Sequence, residues 1–464
     1  MGRRKLSTLL EGSRRLQSRA KAMKCNFRTI VMLSLASLIS APKSSGQAPA
    51  SYRLTLREAV QHALEHNVNV LVANTQVEES EGTRTRAFSA LLPHVLAEPY
   101  VNFQNRSLSA FGLSGIAVIA LPNVIGPFSN YDFRFYAQQS LFDLHYYRQW
   151  KASERAVDAE KFGYEGAVDL VVLAVANLYL NSQSAAARID AAQSRVTDSD
   201  SLYRLAKDKH DAGTATGVDV LRAQVQLAND KQALLVAQNQ YKQSLVALAR
   251  NLGMSPGTPL EIADPLRYHP LPAFRAESLL PAALLARPDY LALASERQAL
   301  VDQQRANRAR YYPRVSILGS YGELGRNIGG VNGIGGIQGQ IDITVFDREI
   351  RGEGQEIASK LRRVDYQIDD LRRGIEEDIR EALLNIESAA EQVAVAKEGQ
   401  DLAQREVELS QDRFQSGTTN NVEVVTAQDQ LARAQENYIL AVSTHTGAIF
   451  ALAAALADVK SIGQ

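Results

Sequence analysis

Apolar residues recur along this chain with two periods, and each period predicts a different element. From Leu361, the residues Val364, Ile368, Leu371, Ile375, Ile379, Leu383, Ile386, Ala390 and Val393 follow at steps of three or four, a narrow stripe of coiled-coil type. Two proline-free stretches, 143–212 and 347–416, predict very long helices. At about 1.5 Å per residue each makes a rod of about 105 Å, which must pack laterally because it cannot surround a globular core. Helical stretches at 53–92 and 218–251 sum to about the same length, about 111 Å, and fit end to end beside the first rod. Further helical stretches cover 277–312 and 422–457.

The second period is two. Tyr131, Phe133, Phe135 and Ala137 alternate with Asp132, Arg134, Tyr136 and Gln138; Ile337, Gly339, Ile341, Ile343 and Val345 alternate with Gln338, Gln340, Asp342 and Thr344. These predict strands at 130–142 and 336–346, partnered by weaker alternation at 95–105 and 314–322, where Leu96 and Leu318 fall on the polar side. The same pattern describes a half-buried strand of a soluble sheet and a membrane strand with one face to lipid and one to a lumen. Glycines 329, 330, 333, 335, 336 and 339 suit the turn before the last strand.

The chain reads as two copies of one plan. At an offset of 204, Gly213, Thr214, Val218, Val220, Ala223, Gln224, Leu227 and Ala228 recur as Gly417, Thr418, Val422, Val424, Ala427, Gln428, Leu431 and Ala432, and Phe142-Asp143 recurs as Phe346-Asp347. Upstream, Pro93 matches Pro313 at an offset of 220. Repeat 1 is 51–252 and repeat 2 is 277–457, with a proline-rich linker at 253–276, a tail at 458–464, and no helix expected over 252–288.

Residues 1–28 carry nine Lys and Arg against Glu11; an apolar run, Ile30–Ile39, and a small-residue stretch ending in Ala48-Pro49-Ala50 follow. This is the pattern of a secretory signal peptide over 1–50, with Ser51 the first mature residue and Met23 an alternative start. The one cysteine, Cys25, precedes the apolar run, so the exported chain is expected to hold no thiol. The 464 residues balance 51 basic against 51 acidic side chains, which gives no basic surface for nucleic acid. A mean hydropathy of −0.20 is too polar for a bundle of membrane helices. It leaves a β-barrel open, because a barrel exposes only alternate residues of short strands to lipid.

Four strands cannot close a barrel, which needs about eight, and an open sheet edge cannot sit in lipid. An exported chain of this plan must therefore pool its strands with other copies.

The doubled layout, the Pro before each first strand, the Phe-Asp opening each long helix, and the segments His210–Thr214 with Val218–Val220 and Phe414–Thr418 with Val422–Val424 resemble the TolC-type outer membrane efflux proteins over residues 53–457. The resemblance implies a mixed α/β membrane protein: a homotrimer whose twelve strands, four per protomer, form one outer-membrane barrel continued by a coiled-coil periplasmic tunnel. It implies a passive exit duct of a tripartite efflux pump or type I secretion system, for drugs, small molecules or polypeptides. It also implies an inner-membrane pump and a periplasmic adaptor as partners. Gly213, Thr214, Gly417 and Thr418 would form the adaptor-docking tip, with Thr216, Asn420 or Asn421 capping the returning helices. Asp219 and Glu423 would line the periplasmic entrance, up to six carboxylates in three copies, favouring cations. As ordinary first-turn acids they would instead complement the helix dipole. Thr419 and Thr426 stand where the family places a basic and an acidic residue, which counts against a charge latch there.

His62 and His66 share a helix face without a third ligand, and no GxSxG, HExxH or phosphate loop occurs, so neither an enzyme nor a metal or cofactor is expected. The apolar stretch 108–128 is broken by glycines and prolines and reads as a loop with strand extensions. The other reading of the whole is a periplasmic coiled-coil adaptor or scaffold, which would carry one helical hairpin rather than two.

Overall fold

The element order in the computed structural model, which describes residues 52–108, 110, 122–272, 275–459 and 462, is β1 (Tyr52–Leu54), α1 (Leu56–His66), α2 (Val68–Ser89), β2 (His94–Ser107), β3 (Val124–Phe142), α3 (Leu144–Asp211), α4 (Gly217–Asn251), β4 (Leu260–Ile262), α5 (Ala276–Ala286), α6 (Pro288–Ala309), β5 (Arg314–Gly325), β6 (Val331–Asp342), α7 (Arg348–Gln415) and α8 (Asn421–Ala455). The expected signal segment 1–50, most of the apolar loop 108–128 and most of the tail 458–464 lie outside the described residues.

The repeated Phe-Asp has a local cause. Asp143 and Asp347 are the N-caps of α3 and α7, where Asp143 Oδ1 accepts the Tyr146 N–H at 3.0 Å and Asp347 Oδ1 the Glu349 N–H at 2.8 Å. Each carboxylate satisfies an amide that the first helical turn leaves without an intrahelical partner. Both helices then run 68 residues. All ten residues of the 361–393 stripe are buried or half-buried, and Val364 and Ile375 are fully so.

Helix α3 has partners on two sides. The pair α2 and α4 packs along it, and so does the pair α6 and α8, which also packs against α7. The α6/α8 column is therefore held between the two rods, while the α2/α4 column lies mainly against α3, with α4 also touching α8. By length and composition α3 and α8 are each apolar enough to cross a bilayer. In α3 the apolar residues Val171, Val175 and Tyr179 pack instead with Ala59 and Ala63 of α1 and with Leu248 and Leu252.

Several expectations need correction. The stretches 53–92 and 277–312 are each two helices. Asn67 ends α1 and caps α2, accepting the Asn69 N–H at 2.9 Å and donating to Asn251 O at 2.7 Å. Arg287 is held extended because Pro288 follows, and that proline begins α6. The 252–288 segment is not free of regular structure. It contains β4, which pairs in parallel with β1, and α5, with Pro281 inside it. Strand β3 begins at Val124 rather than at 130, and so takes in the end of the 108–128 stretch as the expected strand extension. Strand β6 runs 331–342 rather than 336–346, which leaves Ile343 and Val345 outside the ladder and places Gly333, Gly335, Gly336 and Gly339 inside it. The ladder stops at Asp342 because its partner is Arg314, the first residue of β5 after Pro313.

The four long strands form an antiparallel sheet in the order β2-β3-β5-β6. Its register puts Val95, Val101, Phe103, Phe133, Phe135, Tyr321, Ile337 and Ile341 on one face. The other face carries Asp132, Arg134, Tyr136, Gln338 and Gln340, with Leu96 opposite Tyr136 and Leu318 opposite Gln138 and Gln338. Tyr321 is 74% and Ile337 86% exposed, so this apolar face has no cover among the described residues.

Candidate functional site

At the end far from the sheet, α3 turns into α4 and α7 into α8 by the same device. Gly213 (φ +74°) and Gly417 (φ +79°) adopt the left-handed conformation that ends a helix at low cost for glycine. Past them, the Thr214 N–H and Oγ1–H both donate to Lys209 O, at 2.8 and 3.0 Å, and those of Thr418 donate to Arg413 O, both at 3.0 Å. The duplicated Gly-Thr thus closes the last turn of each rod: the glycine supplies the backbone angle and the threonine satisfies the orphan carbonyl twice.

The returning helices start differently. Thr216 caps α4 in a reciprocal box with Asp219: the Asp219 N–H donates to Thr216 Oγ1 at 3.3 Å, and the Thr216 N–H donates to Asp219 Oδ2 at 3.1 Å. Asn420 caps α8, accepting the Val422 N–H at 3.1 Å. Asn421 is not a cap. Fully buried, it donates from Nδ2 to Asp219 O at 2.6 Å and accepts from Arg222 Nη1 at 2.7 Å.

The two turns come together. A cavity of about 370 Å³ lies between them, lined by Gly213, Thr214, Gly417, Thr418 and Asp219 among others. Behind it Leu202, Ala206, Ala223, Phe414 and Val424 form a small core drawn from all four helices. Lys209 Nζ lies 5.2 Å from the Phe414 ring centre and donates to Gln415 O at 3.1 Å, linking the end of α3 to the end of α7.

Both acids of the expected entrance have partners. Arg222 Nη1 approaches Asp219 Oδ1 at 3.3 Å. Glu423 accepts from Arg413 Nη1 at 2.7 Å and from Thr419 Oγ1 at 2.6 Å. A guanidinium therefore offsets each carboxylate, and Asp219 serves its helix N-terminus as the simpler reading had it. Sequence reasoning missed Arg222 and Arg413, and it picked out Asn421 only as a cap. Of these, only the offset between Arg413 and Glu423, spanning the predicted turn, carried a signal. His62 and His66 stack at 4.3 Å, with each Nδ1 against a backbone carbonyl. Among the described residues no group of three or more His, Cys, Asp or Glu could hold a metal.

The sequence profile described as outer membrane efflux protein matches this chain over residues 59–254 and 279–458. The probable efflux pump outer membrane protein SepC of Pseudomonas putida is 25% identical over 401 residues, covering 83% of this chain and 79% of that protein. The pyoverdine export outer membrane protein OpmQ of Pseudomonas aeruginosa is 24% identical over 399 residues, covering 82% and 80%. Among solved structures, the outer membrane protein VceC of Vibrio cholerae superposes with a TM-score of 0.73 at 17% identity, over 86% of this chain and 95% of that one. Long paired helices ending in glycine turns, a four-stranded sheet with a bare apolar face, and these likenesses lead to one conclusion: the chain belongs to the outer membrane efflux protein family, as an outer-membrane channel component rather than a periplasmic adaptor.

Proposed function

We propose that three copies of this chain close into one duct, a twelve-stranded barrel in the outer membrane continued by a periplasmic tunnel of the paired rods, through which a pump's cargo leaves passively. The observation that carries this reading is that the chain has two bare, complementary edges. In the sheet, among the described residues, β2 and β6 each lack a partner on one side. In the helical part, among the described residues, α4 packs along α3 and touches α8 while α7 packs on α5, α6 and α8, and each keeps one exposed face. Each bare edge displays apolar residues: Val218, Leu221 and Val225 on α4, and Val395, Leu402 and Leu409 on α7. The α7 residues are spaced by seven, a second seam on the face opposite the internal stripe. An edge of one kind on one side and of the other kind on the opposite side makes a head-to-tail interface, which gives a ring when the rotation between copies closes. Pairing β6 of one copy with β2 of the next also removes the open backbone edges that lipid does not tolerate.

A duplicated ancestor accounts for the helix lengths, which are 11, 22, 68 and 35 residues in each half. Relatives named as efflux pump components favour an inner-membrane pump and a periplasmic adaptor as partners, with small molecules as cargo. The adaptor docks on Gly213, Thr214, Gly417 and Thr418, and Asp219 and Glu423, each held by an arginine, form the entrance beside them.

Replacing Gly213 and Gly417 together by valine tests the docking role. Left-handed backbone costs an L-residue roughly 1–2 kcal/mol, enough to reshape an exposed turn but not to unfold rods of this length. Export should be lost while oligomers persist in the membrane fraction. Export at the wild-type level would refute the assignment of the tip.

A further inference from the structure

Where α8 ends at Ala455 and α6 begins at Pro288, the column between the two rods is interrupted, and the junction leaves a groove of about 700 Å³. The volume falls within the 300–1,000 Å³ typical of small-molecule sites. Small residues from three helices make the groove: Gly163 and Gly166 of α3, Ala382 of α7, and Ala451 and Ala454 of α8. Neither glycine is required by close packing. A Cβ on Gly163 would meet nothing nearer than Glu160 Oε2 at 4.0 Å, and one on Gly166 nothing nearer than Pro288 Cβ at 3.8 Å. Each glycine inside a helix costs about 1 kcal/mol relative to alanine, and here that cost leaves open space. Phe162, Leu170 and Leu173 supply the apolar walls, and Leu170 is 69% exposed.

The rim is acidic. Asp289, Asp378 and Glu381 line it against Arg287, a formal excess of two negative charges. Arg287 directs its donors to acids of the rim itself: Nε to Asp289 Oδ1 at 3.1 Å, Nη2 to Asp289 Oδ2 at 2.7 Å and Nη1 to Asp378 Oδ2 at 2.8 Å. It is thereby fixed in the wall rather than pointed at an occupant. An apolar hollow of ligand size beneath surplus carboxylates complements a molecule with an aromatic or aliphatic body and one delocalised positive charge.

We propose that this groove binds amphipathic organic cations. The site is distinct from the turns at the tip and does not depend on adaptor docking.

The test uses the purified full chain in detergent with two probes of nearly the same shape and opposite charge, tetraphenylphosphonium and tetraphenylborate, measured by calorimetry. Tetraphenylphosphonium should bind saturably at one site per chain and tetraphenylborate should not. Gly163→Leu, which fills the hollow at a position where a helix accepts leucine readily, should abolish binding. Glu381→Gln should weaken it about two- to fivefold, as expected for one partly exposed charge. Equal uptake of both probes, or equal uptake of the cation by wild type and Gly163→Leu, would overturn the proposal. So would a Gly163→Leu chain that changes its oligomeric state with cation binding intact, which would mark the groove as the seat of a second copy.

Discussion

Replacing Val395, Leu402 and Leu409 of α7 by serine separates an assembly seam from an ordinary solvated helix face. The three side chains are 70%, 56% and 64% exposed in the single chain. Full burial of a valine or leucine is worth about 1.5–3 kcal/mol, so covering the exposed portions gives roughly 1–2 kcal/mol each and about 3–6 kcal/mol per interface. Each 1.4 kcal/mol is a factor of ten in an equilibrium constant. The triple variant should therefore dissociate at protein concentrations at least about 100-fold higher than wild type, measured by light scattering across a dilution series in detergent. Because the three residues contact solvent in the isolated chain, helicity by circular dichroism should be unchanged. An oligomer with unaltered dissociation would contradict the seam, and loss of helicity would show that these residues support the fold of the single chain instead.

Two further predictions concern charge. Arg413 offsets Glu423, which we propose lines the entrance, so Arg413→Ala should expose that carboxylate in every copy and raise the cation-to-anion permeability ratio in planar bilayers severalfold; an unchanged ratio would mean that Glu423 does not face the ion path. His445 is 1% exposed, both ring nitrogens lack a hydrogen-bond partner among the described residues, and the Tyr268 ring centre lies 4.8 Å from its own. Burial holds its pKa below the ordinary histidine value. The unfolded chain takes up the proton first as pH falls below about 6.5, so the stability due to neutral His445 is complete above that pH and is lost on descending through the lower folded value. Thermal unfolding should show a loss between pH 7 and 5 that His445→Phe reduces; an identical slope in the variant would assign the loss to other groups.

Much of this architecture could be read from short-range chemistry. Phe-Asp and Gly-Thr mark helix starts and stops because capping is a property of neighbouring residues, and period-two alternation located β3 because its residues carry large side chains of opposite polarity. Where local signals were weak, reading failed. Strand β6 begins five residues earlier and ends four earlier than expected because Gly333, Gly335 and Gly336 look like a turn until they are paired opposite β5. The breaks at Asn67 and Arg287 depend on one residue each within otherwise helical pattern. At the tip, the glycines and threonines were legible, whereas Arg222–Asn421 joins positions 199 residues apart and has no sequence signature. The outer seam on α7 was hidden by the stronger internal stripe on the same helix.

The central claim is that this chain assembles into an open-ended duct through the outer membrane, and single-channel recording from the purified oligomer in a planar bilayer tests it most directly. The account predicts discrete conductance steps from the oligomer and none from the dissociated Val395, Leu402 and Leu409 triple variant. A stable oligomer that inserts into the bilayer yet never conducts would contradict it.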